Sequence, residues 1–176
     1  MRIKAVISAL LLSACLAGCG EAASSGSGAV SQAETTAQAP EINASTVSEA
    51  VETIRAAYPE MFTAVSSSGE ELFDQNAEKL FGCKPEELEY GAIAYNASGS
   101  TADEVSILIL GDEDGDKALA LLTERKDVRR ADFEDYKPSE VGKIDKALVF
   151  KLNKGAALII SDDAESIREM LSQKLS

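Results

Sequence analysis

The fold of this chain is decided by residues 102–125, which read ADEVSILILGDEDGDKALALLTER. Residues 103–110 are rich in β-branched and aliphatic side chains, which is typical of a strand. The acidic, glycine-containing cluster at residues 111–116 ends that strand and opens a long helix, which runs to about Tyr136 and stops near Pro138. The centre of the domain is therefore predicted to be a strand followed directly by a long helix.

Two β-hairpins are predicted around this centre. Residues 88–95 form a strand that precedes a Ser- and Gly-rich turn at residues 96–102, so this strand pairs with residues 103–110. Strands at residues 146–152 and 156–161 flank an Asn-Lys-Gly turn and form the second hairpin.

Three further helices are predicted from capping residues and apolar spacing. Thr46 or Ser48 caps the first helix, which ends at Pro59, and residues 69–81 form the second. Residues 162–163, both Asp, cap the last helix. The buried stripe of the second helix is expected to comprise Leu72, Phe73, Ala77 and Leu80.

The resulting element order is α-α-β-β-α-β-β-α over residues 46–176. Strands joined by tight turns run in opposite directions. We therefore expect a single α+β domain with a mostly antiparallel four-stranded sheet, built from the two β-hairpins. A long central helix, a C-terminal helix and two N-terminal helices complete this prediction.

The first 18 residues have the layout of a secretory signal peptide. Arg2 and Lys4 precede a short apolar run at residues 5–12, which is shorter than the ~20 residues that a membrane-spanning helix needs. Residues 16–19, LAGC, resemble the bacterial lipobox, in which the cysteine receives a diacylglycerol and the signal is cut just before it. We therefore predict that Cys19 is lipidated; the alternative is a plain signal peptide with Cys19 as an ordinary thiol.

Residues 19–45 are predicted to be the lipidated cysteine followed by a flexible tether. They are mainly Ala, Ser, Gly, Thr, Gln and Glu, and such a coil spans roughly 28 to 30 Å end to end. A lipid anchor of two or three chains holds a protein stably in a bilayer. The expected location is the extracytoplasmic face of the cell membrane, and the membrane is the first predicted partner.

The strongly negative charge restricts the other partners. The chain has a formal net charge of -13, and removal of Arg2 and Lys4 with the signal leaves -15 (-13 minus 2). Such a surface repels phosphates, so no nucleic-acid partner is expected. An unidentified envelope protein or ligand remains the predicted second partner.

The residue types that are missing exclude several kinds of active site. The chain has no histidine, so Ser-His-Asp and Cys-His hydrolases and histidine-ligated zinc sites are excluded. The acidic cluster does not follow the calcium-loop pattern, because Lys117 and Thr123 stand where an EF-hand starting at Asp112 needs Gly and Glu. Cys83 is expected to pack as a small apolar residue. We predict no metal, no cofactor and no catalytic residue.

Several short motifs resemble a family of Gram-positive bacterial lipoproteins whose domain has no known function. They are ADEV at residues 102–105, Arg125, Phe133, YKP at residues 136–138 and the strand-to-helix junction at residues 158–163. The similarity covers about residues 72–171 and implies an envelope location and similar domain boundaries, but no catalytic residues. One departure is Arg129, where the family tends to have Gln.

Two arginines lie within the apolar stripe of the long helix. Arg125 and Arg129 lie within about 40° of one line with Leu122, at 100° per residue. Their guanidinium groups either reach water beyond the packed stems or pair with a carboxylate on the strand beneath. Helix and strand lengths place Arg125 at the height of Glu104, so an Arg125–Glu104 ion pair is predicted; Asp103 is the partner if the opposite face of the strand meets the helix.

These features leave three hypotheses for function. The favoured one is a non-catalytic binding or scaffold module on the cell surface, of unknown biochemical activity. The second is an envelope enzyme that uses carboxylates such as Asp103, Glu104 or Asp162 as acid and base. The third, a solute-binding lipoprotein, usually needs two lobes and more than the 158 mature residues (176 minus 18).

Overall fold

The computed structural model describes residues 42–111 and 115–175. The predicted signal peptide, Cys19, most of the predicted tether and Asp112 to Asp114 lie outside these ranges. The helices are α1 Ala44–Ala57, α2 Glu71–Phe81, α3 Asp116–Tyr136, α4 Val141–Asp145 and α5 Ala164–Leu175. The strands are β1 Ala64–Ser67, β2 Leu88–Tyr95, β3 Glu104–Leu110, β4 Leu148–Leu152 and β5 Gly155–Ile160, and short 3₁₀ turns occupy Pro85–Glu87 and Pro138–Glu140.

The sheet is antiparallel throughout, with strand order β1-β2-β3-β5-β4. The α+β class is confirmed, and β2–β3 and β4–β5 are the two predicted hairpins. The prediction of four strands is wrong, because β1 adds a fifth at the edge of β2. The short helix α4 is also additional to the predicted set.

Helices cover both faces of the sheet. The side chains of Val105, Ile107 and Ile109 pack in one core with α1 and α5. Leu108 and Leu110 face the other way, into a second core with α2, α3 and α4. Successive side chains of a strand point to opposite faces, so Glu104, in phase with Leu108 and Leu110, is directed toward α3. This is the geometry that the Arg125–Glu104 prediction requires.

The first helix begins earlier than predicted. Its N-cap is Asn43, whose side chain accepts a hydrogen bond of 3.0 Å from the Thr46 N–H, while Thr46 Oγ1 accepts one of 2.9 Å from the Asn43 N–H. Thr46 is therefore the third helical residue of a capping box and not the cap. Ile42 packs against the core beside α1, so the ordered fold includes residues just before position 46.

The start of α3 depends on a close approach of two glycines. Gly115 is the N-cap, its φ is +70°, and a Cβ built on it would lie 2.5 Å from the carbonyl oxygen of Gly155. A side chain there would be strained in conformation and would clash with β5. The acidic cluster that is predicted to open α3 consists mainly of residues 112–114, which lie outside the described part of the chain. Asp116, in the first turn, forms an ion pair with Lys151 of β4.

Candidate functional site

The main candidate site is a cleft of about 450 Å³ on the face of the sheet that carries α2 and α3. This size is typical of small-molecule sites. The cleft is lined by α2, β1 and β2, which are called its walls below, and by β3 and α3, which are called its floor. The apolar side chains of the walls include Val65, Leu72, Phe73, Leu80 and Ile93, and the charged side chains of the floor are Glu104, Arg125 and Arg129.

Helix α2 can line the cleft because only one of its faces is buried against the sheet. Phe73, Ala77 and Phe81 are spaced four residues apart and are buried against the sheet. Leu72 is 72% exposed, so its predicted place in the buried stripe is wrong. One residue along a helix turns the side chain by about 100°, which moves Leu72 away from Phe73 and onto the mouth of the cleft.

Glu104 is the central group of the floor. It is 1% exposed, and Arg125 binds it through two hydrogen bonds, Nε to Oε1 at 3.1 Å and Nη2 to Oε2 at 2.9 Å. Ser106 donates a further hydrogen bond of 2.8 Å to Oε1. The structure therefore brings together the two residues that sequence analysis pairs, in the bidentate geometry that favours arginine over lysine.

Arg129 shares the same carboxylate but is poorly hydrogen-bonded. It lies one helical turn after Arg125, so both side chains project from one face of α3. Its Nε lies 3.3 Å from Glu104 Oε2 but makes no hydrogen bond in the described structure, and its Nη2 is 3.5 Å from the Ala102 carbonyl oxygen. The guanidinium also stacks 4.7 Å from the centre of the Phe133 ring.

The charge of the floor is consequently positive. Burial lowers the pKa of Arg129; the nearby Glu104 carboxylate opposes this effect, and the second cation, Arg125, adds to it. Even so, an arginine remains charged in proteins. Two cations therefore face one carboxylate at the base of the cleft.

A second carboxylate, Glu70, lies at the rim. It is exposed, and it accepts hydrogen bonds of 3.1 Å from Ser66 and 3.2 Å from Ser67. Water screens an exposed charge far more than a buried one. The electrostatic character of the inner cleft is thus set by the floor.

Asp103 belongs to a separate cluster and not to Arg125. It is 2% exposed, and Lys143 of α4 donates hydrogen bonds of 3.0 and 3.1 Å to its two oxygens. Lys143 also lies 3.1 Å from Glu140 Oε2 and 3.8 Å from Asp162 Oδ2. Lys143 is not among the predicted site residues, because α4 was not predicted.

Within this cluster, burial and ion pairing shift the pKa values of Glu140 and Lys143 in opposite directions. Burial alone would raise the pKa of Glu140, but the hydrogen bond of 3.0 Å from the Ala102 N–H, together with Lys143, outweighs it and lowers the pKa. Burial alone would lower the pKa of Lys143, and its hydrogen bonds to Asp103 and Glu140 outweigh that effect and raise it. Both groups are stabilised in their charged forms, which suits a structural junction.

The candidate acid and base residues lie in two places, Glu104 in the cleft and Asp103 and Asp162 beside Lys143. Glu104 lies beneath two arginines, Asp103 is bound by Lys143, and the side chain of Asp162 is 76% exposed. An acid–base pair needs two carboxyl groups with distinct proton affinities that face the same substrate. This arrangement gives the enzyme hypothesis no support.

The remaining predicted features lie elsewhere. Cys83 is fully buried, and burial raises the pKa of its thiol. Within residues 42–111 and 115–175, no group of three or more possible metal ligands occurs. The same part of the chain contains no helix with the length and apolar character needed to cross a bilayer. No family model matches the chain, and neither a curated protein nor a solved structure matches it.

Proposed function

We propose that this protein is a lipid-anchored, non-catalytic binding module of the cell envelope, and that the cleft between α2 and α3 holds its ligand. The anchor is assigned to Cys19 on the lipobox at residues 16–19, and the tether extends the domain from the membrane. The motif resemblance to Gram-positive lipoproteins supports the same location.

The observation that carries the proposed binding role is the exposed Leu72 beside a preformed cleft with a charged floor. A large apolar side chain that is 72% exposed contributes little to folding. At the rim of an open cleft, the same side chain is available to bury apolar surface of a ligand. Small-molecule sites typically combine such apolar walls with a few fixed polar groups, which Arg125 and Arg129 supply here.

The test compares two apolar-to-acidic substitutions on the surface. Leu72→Glu places a charge at the mouth of the cleft, and Val128→Glu makes the same change at another exposed position, on α3 and outside the cleft. Each lipidated protein is purified from cells under mild conditions and analysed by native mass spectrometry. We expect the wild-type protein and Val128→Glu to retain a small-molecule adduct that Leu72→Glu loses.

An adduct held equally by Leu72→Glu would contradict the assignment of the cleft. A wild-type protein that carries no adduct from any growth phase would contradict the binding role itself.

A further inference from the structure

The floor of the cleft has one more cation than anion. Arg125 and Arg129 approach Glu104 to 2.9 Å and 3.3 Å, so a single negative charge is divided between two guanidinium groups. Arg125 takes most of it through two hydrogen bonds. The second guanidinium keeps an excess positive charge in a protein whose formal net charge is -13.

Arg129 also has hydrogen-bond donors to spare. A guanidinium has five N–H donors, and among the described residues those of Arg129 make one hydrogen bond, a long one of 3.5 Å to the Ala102 carbonyl oxygen, besides the 3.3 Å approach of Nε to Glu104. The side chain is 17% exposed and lines the cleft. A buried donor without an acceptor costs free energy, and a charged acceptor forms the strongest hydrogen bond with it. An anion in the cleft would therefore satisfy both the charge and the donors.

The walls determine what the anion is attached to. Leu72 is exposed and Leu80 is half-buried, so these two side chains offer aliphatic surface to a ligand. Phe73 and Ile93 also line the cleft, but they are almost fully buried behind it. A fully polar anion would leave this surface wet, whereas an apolar chain would bury it at roughly 25 cal/mol per Å².

We propose that the cleft binds a monoanionic amphiphile, a carboxylate on an apolar chain, with the carboxylate against Arg129 and the chain along α2. This assignment of a ligand class rests on the proposed function. Arg129 is the residue that selects for negative charge, because Arg125 is already committed to Glu104.

The probe is hexanoate, which is soluble and partitions little into micelles. The full lipidated chain in non-ionic detergent is titrated, and the NMR signals of the arginine Nε–Hε groups are followed. We expect hexanoate to shift the Arg129 signal saturably and to bind at least about ten-fold more tightly than hexanol or hexylammonium, since a charge-assisted hydrogen bond is lost with either. Butanoate, two methylenes shorter, is expected to bind about ten-fold more weakly.

Matched variants test whether the carboxylate of hexanoate binds at Arg129. Arg129→Gln is expected to weaken hexanoate binding at least about ten-fold, and Arg129→Lys much less. Arg130→Gln removes the same charge from an exposed neighbour that pairs with Glu134 and Asp145, and it should leave binding within about two-fold. Glu104→Gln removes the competing carboxylate and should tighten binding several-fold.

Equal affinity for hexylammonium, or unchanged binding by a folded Arg129→Gln, would overturn the anionic assignment. A loss of the native adduct on Leu72→Glu would still support the cleft as a binding site in that case, so the two proposals fail separately. Absence of any hexanoate binding to the wild-type protein also overturns this inference.

Discussion

Replacing one partner of the Arg125–Glu104 pair is expected to destabilise the fold by far more than a surface ion pair would. The side chains are 12% and 1% exposed, so each loses a buried partner when the other is removed. Breaking a buried pair costs about 3 to 5 kcal/mol, whereas an exposed pair contributes under about 1 kcal/mol. Glu104→Ala should fall in the upper range, because it leaves Arg125 and Arg129 facing each other without an anion.

Arg129, which also contacts Glu104, determines how strongly each of the other substitutions destabilises the fold. Arg125→Ala leaves Glu104 with Arg129 at 3.3 Å and with the Ser106 hydroxyl, so its cost should be about 3 kcal/mol. Arg129→Ala removes the weaker contact and the stacking on Phe133, which together contribute about 1 kcal/mol. The expected order of destabilisation is therefore Glu104→Ala, Arg125→Ala, Arg129→Ala.

The assay is urea unfolding of the soluble chain from Gly20 onward. Circular dichroism is the appropriate signal because the chain has no tryptophan. Arg130→Ala is the control, since it removes an exposed arginine of the same helix and should cost under about 1 kcal/mol. The Arg125→Ala and Glu104→Ala double-mutant cycle should give a coupling energy of about 2 kcal/mol or more. If each substitution costs under about 1 kcal/mol and the two effects add, Arg125 and Glu104 do not form a stabilising buried pair.

Three other properties lead to predictions. Cys19→Ala should abolish lipid labelling and leave an unprocessed precursor, and normal metabolic labelling of this variant would contradict the anchor. Because folding lowers the pKa of Glu140, its ionised carboxylate stabilises the fold fully at pH values above its unfolded-state pKa of about 4.3. This stabilisation is lost as the pH falls through the pKa of the folded state. Glu140→Gln should therefore be less stable than wild type at pH 7, and the difference in urea midpoint should shrink toward pH 3; a constant difference would argue against the linkage. Cys83, fully buried and with a raised pKa, should stay unalkylated at pH 8 until urea unfolds the chain, as mapped by mass spectrometry of its peptide; rapid native labelling would show that the site opens.

The sequence predicts the elements whose pattern is local. Both hairpins have turn residues between apolar runs, eight of them (residues 96–103) in the first and two (residues 153–154) in the second, and α3 carries its own start and stop signals. Strand β1 has only four residues, two of them Ser, and its extended form depends on pairing with β2. Such a segment has no strong pattern of its own, because strand formation depends on the neighbouring strand.

The candidate site was predictable only in part, for a similar reason. The rise per residue along β3 and α3 places Arg125 at the height of Glu104 and predicts the ion pair. The choice of Glu104 over Asp103 depends on which face of β3 meets α3, and only the structure shows that face. The cleft depends on how far α2 lies from α3, and the sequence contains no measure of that distance. Lys143 could not be predicted as a partner of Asp103 because it lies on α4, a helix of only five residues.

The strand order also determines how the chain assembles. Strands β2–β3 and β4–β5 are neighbours in sequence, whereas the pairing of β3 with β5 joins Glu104 to Ile160, whose sequence numbers differ by 56. Closing such a loop requires ordering α3 and α4 first or at the same time, and non-local pairings of this kind slow folding. We expect two early hairpins and a later, rate-limiting union of β3 with β5. Until that step, the facing edges of β3 and β5 are both unpaired and available to other chains, so folding of this protein depends on protection of these two strand edges.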